Sequence, residues 1–309
     1  IDSETANPFQ AYQATRYVDT SIPHIPVTAH GLKENGYATI ATTNWLPYSW
    51  SINNVAFAEV MHTALSYFQA GRAEAGYKLL KSSVLDGMYL GDSPGNFGQI
   101  SFYDAARGEC YRDFGDPIGV ASRVLIQGLF GILPDALNQQ IILRPGFPDD
   151  WDKASVSTPD ISYRFTRKED TDTYHITQRF QTPLHPVLQI NARKEKIRSV
   201  KVNGVPATWQ SIESAHGYPL LSIQAEGTSS TTITIEWEGA SLHTLAVQEL
   251  VIASNGKLAL QIPSGASISQ VYDPQSVLAN HTVGATAFNA QIKGEPGHHT
   301  FFVYTHQGE

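Results

Sequence analysis

Apolar positions along this chain follow two different periods. Between Trp50 and Gln69 they recur at steps of three and four, one row running Ile52, Ala56, Val60, Ala64 and a second Phe57, Met61, Leu65, Phe68. A double row of this kind predicts an amphipathic helix with a wide buried face. Glu59, His62, Ser66 and Gln69 form its polar row, and Gly71 marks the stop. A second helix is expected from Ala73 to Leu85, with Tyr77, Leu80 and Val84 turned inward, so that the two make a hairpin with a very short turn. A third opens with Asp116 as N-cap and Pro117 as first helical residue, where the missing N–H costs nothing. Its body, from Ile118 to Phe130, is apolar nearly all round and is expected to be enclosed by other elements.

Past about residue 136 the period changes to alternation. The stretches "QQIILRP", "ISYRFTR", "TYHITQRF", "PVLQINA" and "TTITIEWE" read as strands rich in β-branched and aromatic residues. Asn203-Gly204 and Asn255-Gly256 each sit between two such runs and predict hairpin turns that need positive φ. Many short antiparallel strands imply a β-sandwich through to the C-terminus. The expectation is an α+β multidomain chain, with helical hairpins over residues 1–135 and a β-sandwich over 136–309. Prolines 134, 145 and 148 stiffen the join and predict a packed connection.

Length and composition narrow the function. With 309 residues there is room for one large domain or two medium ones. A net charge of -8 with no cluster of Lys and Arg argues against nucleic acid as partner, since a polyanion needs positive charge to release its counterions; a neutral ligand suits better. No uncharged apolar run is long enough for a membrane span. The single cysteine, Cys110, excludes an intrachain disulfide and any CxxC clamp, and reads as small apolar filling. Ile1 opens the chain without a methionine or a signal peptide, as a matured product or a piece of something longer would.

Two stretches carry candidate chemistry. "TNWLPYSWSINN", residues 43 to 54, sets Trp45, Tyr48 and Trp50 just before the first helix, where flat aromatic faces can meet a sugar ring or, equally, plug the end of a helical core. "GQISFYDAARGECYRDFGDPIG", residues 98 to 119, belongs to a segment of roughly thirty residues without helical or strand period, and ordered loops of that length tend to be functional. Its carboxylates Asp104, Glu109, Asp113 and Asp116 are raw material for glycoside hydrolysis, which needs one carboxyl to protonate the leaving oxygen and another to activate water or attack the anomeric carbon. The plain alternatives are a helix cap for Asp116 and ion pairs of Asp104 and Asp113 with Arg107, Arg112 or Arg123. His298 and His299 are strand neighbours that point to opposite faces, and no HExxH, Walker or GxSxG motif is present, so no metal site and no cofactor are expected.

The order of helical hairpin, long loop, "GDPIGVASRVLIQGLFGILPD" and "ILRPGFPDDWDKASVSTPDISYRF" resembles the C-terminal part of six-hairpin glycosidases. These are (α/α)6-toroid enzymes of rhamnosidase-like, trehalase-like and debranching-type families, several with a β-sandwich after the toroid. The resemblance is clearest from Trp45 to Phe165 and is nearest to an uncharacterised branch from polysaccharide-degrading bacteria. It implies a partial toroid and an inverting glycoside hydrolase acting on a neutral oligosaccharide or polysaccharide in a periplasmic or extracellular setting. "WLPYSW" would cap a toroid helix at the sugar-binding mouth, with the 98 to 119 loop over the same cleft. The candidate catalytic set, chosen by position in the loop, is Asp104, Glu109 and Asp113; the candidate substrate-binding set is Trp45, Tyr48, Trp50, Phe102, Tyr103 and Arg112. Trehalase-like members carry a glutamate base two positions before a Tyr-Asp or Tyr-Asn pair, and Ser101 stands there relative to Tyr103-Asp104, which favours the alternative of a non-catalytic carbohydrate-binding or assembly module. About 135 residues are too few for twelve helices. The remaining hairpins, with the general acid, would then lie on a longer precursor or another chain, Glu34 being the upstream acidic residue to watch.

Overall fold

In a computed structural model of the chain, residues 5–32, 36–42, 54–90, 102–104, 110–111, 115–212, 216–242, 245 and 249–308 are described, those of 102–104 and 110–111 as backbone. The fold is α+β with sheets predominating, 41% strand against 24% helix. The helical part opens with α1, Pro8–Ser21, which the amphipathic pattern did not single out. Its start is nonetheless encoded: the Asn7 side chain accepts from the Gln10 backbone N–H, the Gln10 side chain accepts from that of Asn7, and Pro8 follows the cap. Two short strands, β1 (His24–Pro26) and β2 (Ala38–Ile40), then pair antiparallel. Next come β3 (Asn54–Ala56), α2 (Phe57–Gln69) and α3 (Ala73–Val84), the last ending in a π-helical turn over Leu85–Tyr89. After β4 (Phe102–Asp104) and β5 (Cys110–Tyr111), α4 (Asp116–Arg123) runs into a second π-helical turn, Val124–Leu129.

Three details differ from the pattern reading. Helix α2 begins at Phe57, seven residues after Trp50, because Asn54–Ala56 is drawn into a strand. Gly115 is the cap of α4, with Asp116 already helical, and no side chain caps this end; Asp116 acts there through its charge on the positive end of the helix dipole. The α4 region is also not fully enclosed, since Ile118 is 56% and Leu125 42% exposed.

The β part contains β6 (Ile132–Asp135), β7 (Gln140–Leu143), β8 (Lys153–Ser157), β9 (Ile161–Lys168), β10 (Thr171–Gln178) and β11 (His185–Asn191). It continues with β12 (Lys194–Val202), β13 (Val205–Pro206), β14 (Gln210–Ile212), β15 (Leu220–Gln224) and β16 (Ser230–Ser241). A six-stranded sheet runs β13-β12-β16-β10-β9-β8 and a five-stranded one β14-β15-β11-β7-β6. Pairing is antiparallel except between β7 and β11. The inward faces of both sheets, among them Tyr163, Phe165, Ile233 and Trp237 from the first and Ile141, Leu143, Leu188 and Ile223 from the second, share one apolar cluster. One acid is buried in it: Asp172 accepts from Arg167 Nε at 3.0 Å and from the Trp237 indole N–H at 3.0 Å.

That cluster continues into the helices through Phe57, Val60, Met61, Leu65 and Phe68. Phe68 is the joint: a Cβ at Gly76 on α3, at Gly128 in the second π-helical turn, or at Gly146 after β7 would come within 3.0 Å of its ring. Three segments can close around that ring only because each presents a glycine.

The remaining strands are β17 (Lys257–Gln261), β18 (Ala266–Tyr272), β19 (Leu278–Val283), β20 (Ala287–Ile292) and β21 (Phe302–Gln307). They form sheets β17-β20-β19 and β18-β21, with a separate small core of Leu258, Val277, Leu278, Phe288 and Ala290. The predicted turn at Asn203-Gly204 is present with positive φ at both residues and joins β12 to β13. Asn255 also has positive φ, but no strand precedes it: β17 pairs with β20 instead. No helix among the described residues is long and apolar enough to cross a membrane.

Candidate functional site

The two candidate stretches meet at one small sheet. β3 pairs with β4 in the register Asn54↔Asp104, Val55↔Tyr103, Ala56↔Phe102, and β4 pairs with β5 through Phe102↔Tyr111 and Tyr103↔Cys110. β3 runs straight into α2, so this sheet sits on the N-terminal end of that helix. Thr42 is fastened to β3. The Thr42 backbone N–H donates to the Asn54 carbonyl at 2.9 Å, its hydroxyl donates to the same carbonyl at 3.0 Å, and the hydroxyl accepts from the Ala56 N–H at 3.0 Å. Asn54 and Val55 of β3 are buried, 4% and 0% exposed.

The candidate residues are unevenly placed. Phe102, Tyr103 and Asp104 lie on the central strand of this sheet. Trp45, Tyr48, Trp50, Glu109, Arg112, Asp113 and Ser101 lie outside the described residues, as do Arg107 and Glu34. Asp116 opens α4 five residues after the end of β5, and Arg123 at the far end of that helix donates to Gln127 at 2.8 Å. His62 and Glu59 are exposed on α2, and His299 reaches the Glu295 carbonyl at 2.8 Å. Among the described residues no three His, Cys, Asp or Glu side chains converge as metal ligands.

Sequence reasoning missed the role of Thr42, which only a long-range hydrogen bond reveals. It also missed an open cleft of about 710 Å³ on the other flank of α3, lined by Leu32, Tyr37, Glu74, Tyr77, Lys78 and Lys81. The Lys81 ammonium lies 5.1 Å from the centre of the Tyr37 ring and 5.9 Å from that of Tyr77, and the Tyr37 hydroxyl holds its pKa above the usual lysine value. Residues 33–35 lie outside the described residues.

A third polar centre lies where α1 crosses the start of α3. Asp19 accepts from the Tyr67 hydroxyl and from Arg72, each at 2.5 Å, and from Arg16 at 2.7 Å. Burial works to raise the Asp19 pKa, but these three donors outweigh it and hold the carboxyl below the usual range. The same burial and the Asp19 charge push the Tyr67 phenol well up. This arrangement fastens α1 to the end of α2 and to the α2–α3 turn.

No protein-family model matches the chain, and no curated protein matches it. Among solved structures, 59% of the chain is similar to part of an alpha-L-rhamnosidase from Dictyoglumus thermophilum, at 14% identity and a TM-score of 0.39. The match spans 21% of that enzyme's length, and at this level the similarity is distant and partial.

Proposed function

We propose that this chain is the C-terminal portion of a carbohydrate-active protein, an inverting glycoside hydrolase for neutral oligosaccharide or polysaccharide. Its helical part, residues 1–135, would be a piece of an (α/α)6 toroid whose other hairpins lie elsewhere in a precursor or on another chain, with residues 136–309 as the supporting β domain. The observation that carries the reading is the pairing of β3 with β4, which ties the stretch containing Trp45, Tyr48 and Trp50 to the one containing Asp104, Glu109 and Asp113 at one helix end. Sugar stacking calls for aromatic faces and acid–base cleavage of a glycosidic bond for carboxylates, and the two stretches that end at this sheet supply both residue types. In this reading Asp104, Glu109 or Asp113 activates water, and Phe102, Tyr103 and Arg112 position the sugar. Ser101 supports a second reading, binding without cleavage.

The test is an oligosaccharide screen on this chain and on its longer precursor. Glu109→Gln and Asp113→Asn are expected to lower turnover at least about a hundredfold with the thermal midpoint unchanged. Sugar binding without turnover in any sample selects the binding module. Absence of both, on neutral glycans of varied linkage, removes the carbohydrate reading.

A further inference from the structure

His216 sits at the meeting point of three parts of the molecule that are remote in sequence. Its ring centroid is 5.6 Å from that of Tyr12 on α1 and 5.1 Å from that of Phe302 on β21, edge-on to the latter. On the side of the α2–α3 turn its Cδ2 lies 3.8 Å from where a Cβ of Gly71 would stand. Tyr12 and Phe302 also pack on each other at 5.5 Å, and Phe9 adds contacts of 5.1 Å to Phe302 and 5.6 Å to Tyr272. The C-terminal β module is therefore joined to α1 by aromatic rings, and His216 is the titratable member of that group in the range where imidazole changes charge.

The groups facing His216 from each side are few. α1 presents the Tyr12 ring and the Pro8 carbonyl, the α2–α3 turn presents Gly71 and the Arg72 guanidinium, and β21 presents the uncharged Phe302 ring. Arg72 is itself stacked over Tyr12 at 5.5 Å. Among the described residues, the carboxylate that engages Arg72 is Asp19, which is shared with Tyr67 and Arg16. His216 Nε2 is sealed from solvent without an acceptor. A positive charge on this ring would be buried and would lie near Arg72, both of which oppose it, while the Pro8 carbonyl favours it less than burial disfavours it.

We propose that His216 is a pH-operated latch: neutral, it seats the C-terminal β module and α1 against the α2–α3 turn, and protonated, it releases them. Burial lowers the ring's pKa in the closed form, the Pro8 carbonyl pulls the other way, and the Arg72 charge adds a smaller lowering. The sign follows. Above about pH 6.5, the value of a free imidazole, both forms are neutral and the latch costs nothing. Below it the open form takes up the proton more readily, so opening becomes progressively favoured until the pH has passed the lowered pKa of the closed form. This inference is independent of the carbohydrate reading.

Hydrogen exchange on the full chain tests it. Between about pH 7.5 and about pH 5, amide protection in α1 and β21, corrected for the intrinsic rate, is expected to fall severalfold. Protection in β9 and β10 should hold. In His216→Phe, which keeps an aromatic ring in the seat, the fall should disappear. Unchanged protection in the wild-type chain, or an equal fall in the variant, overturns the latch. Should His216→Phe not fold, the pH titration of the His216 Cε1–H resonance decides: a pKa at or above the free value overturns the proposal and a lower one upholds it.

Discussion

Asp19 shows how one side chain can fix a helix crossing. It takes three donors, from Tyr67, Arg72 and Arg16, and Arg16 extends the link by pairing with Glu249 on the strap that leads to the C-terminal module. Charged hydrogen bonds of this kind contribute about 1.5–3 kcal/mol each, offset by the burial of the carboxylate. Asp19→Asn is therefore expected to lower the unfolding free energy by about 1–3 kcal/mol at neutral pH, measured by urea titration. The acid dependence has a definite sign. Because the folded pKa is depressed, the stabilisation is complete above about pH 4, the unfolded aspartate value, and is lost as pH falls through the folded value. Below that range the wild-type curve should decline more steeply than that of Asp19→Asn. None of this is legible in the sequence, where Asp19 lies 53 residues from Arg72 and shares no motif with it.

Elements were more readable, though unequally. The double apolar row gives α2 and α3 their buried faces, with Val60, Met61, Ala64 and Leu65 at 0–1% exposure. Alternation locates β9, β10, β11 and β16, because a sheet packed on one side must bury every second residue. The pattern lost accuracy where partners decide. Asn54–Ala56 carries helical spacing yet pairs with β4, and the stretch before Asn255 carries strand spacing yet finds no neighbour. Two glycines give a measurable contrast. Gly131 has φ 64° between the second π-helical turn and β6, and a Cβ there would run into the Arg144 carbonyl. Gly204 has φ 81° with open space around it. Gly204→Ala should cost about 1 kcal/mol and Gly131→Ala about 3 kcal/mol or more, since the first pays for dihedral strain alone and the second also displaces backbone; differential denaturation curves measure both.

At the scale of the whole molecule the helices and the first sandwich behave as one packed body around Phe68, and the C-terminal module stands on its own smaller core. The module meets α1 through Phe9 and Tyr12, which are 6% and 8% exposed. A chain ending after Leu250 should keep a cooperative sandwich transition, followed by circular dichroism. It should lose amide protection in the first half of α1 more than in the second, where Thr15 and Asp19 still engage Tyr67. Equal loss along the helix would show that the module supports all of α1 and not its aromatic end alone.

What the sequence by itself determined is local. Its periods set which segments are helix and which are strand, Asn7-Pro8 and Asn203-Gly204 set a helix start and a turn, and the charge balance disfavours a polyanion as partner. These follow from interactions between residues a few positions apart, or from totals over the chain, so no knowledge of partners is needed. Long-range packing set the bonding of Thr42 to β3, the closure of three glycines on Phe68, and the place of His216 between α1, the α2–α3 turn and β21. Each of these brings together residues that are not neighbours in the chain. Such contacts are chosen by packing and by the need to satisfy buried polar groups, for which one-dimensional order carries no signal.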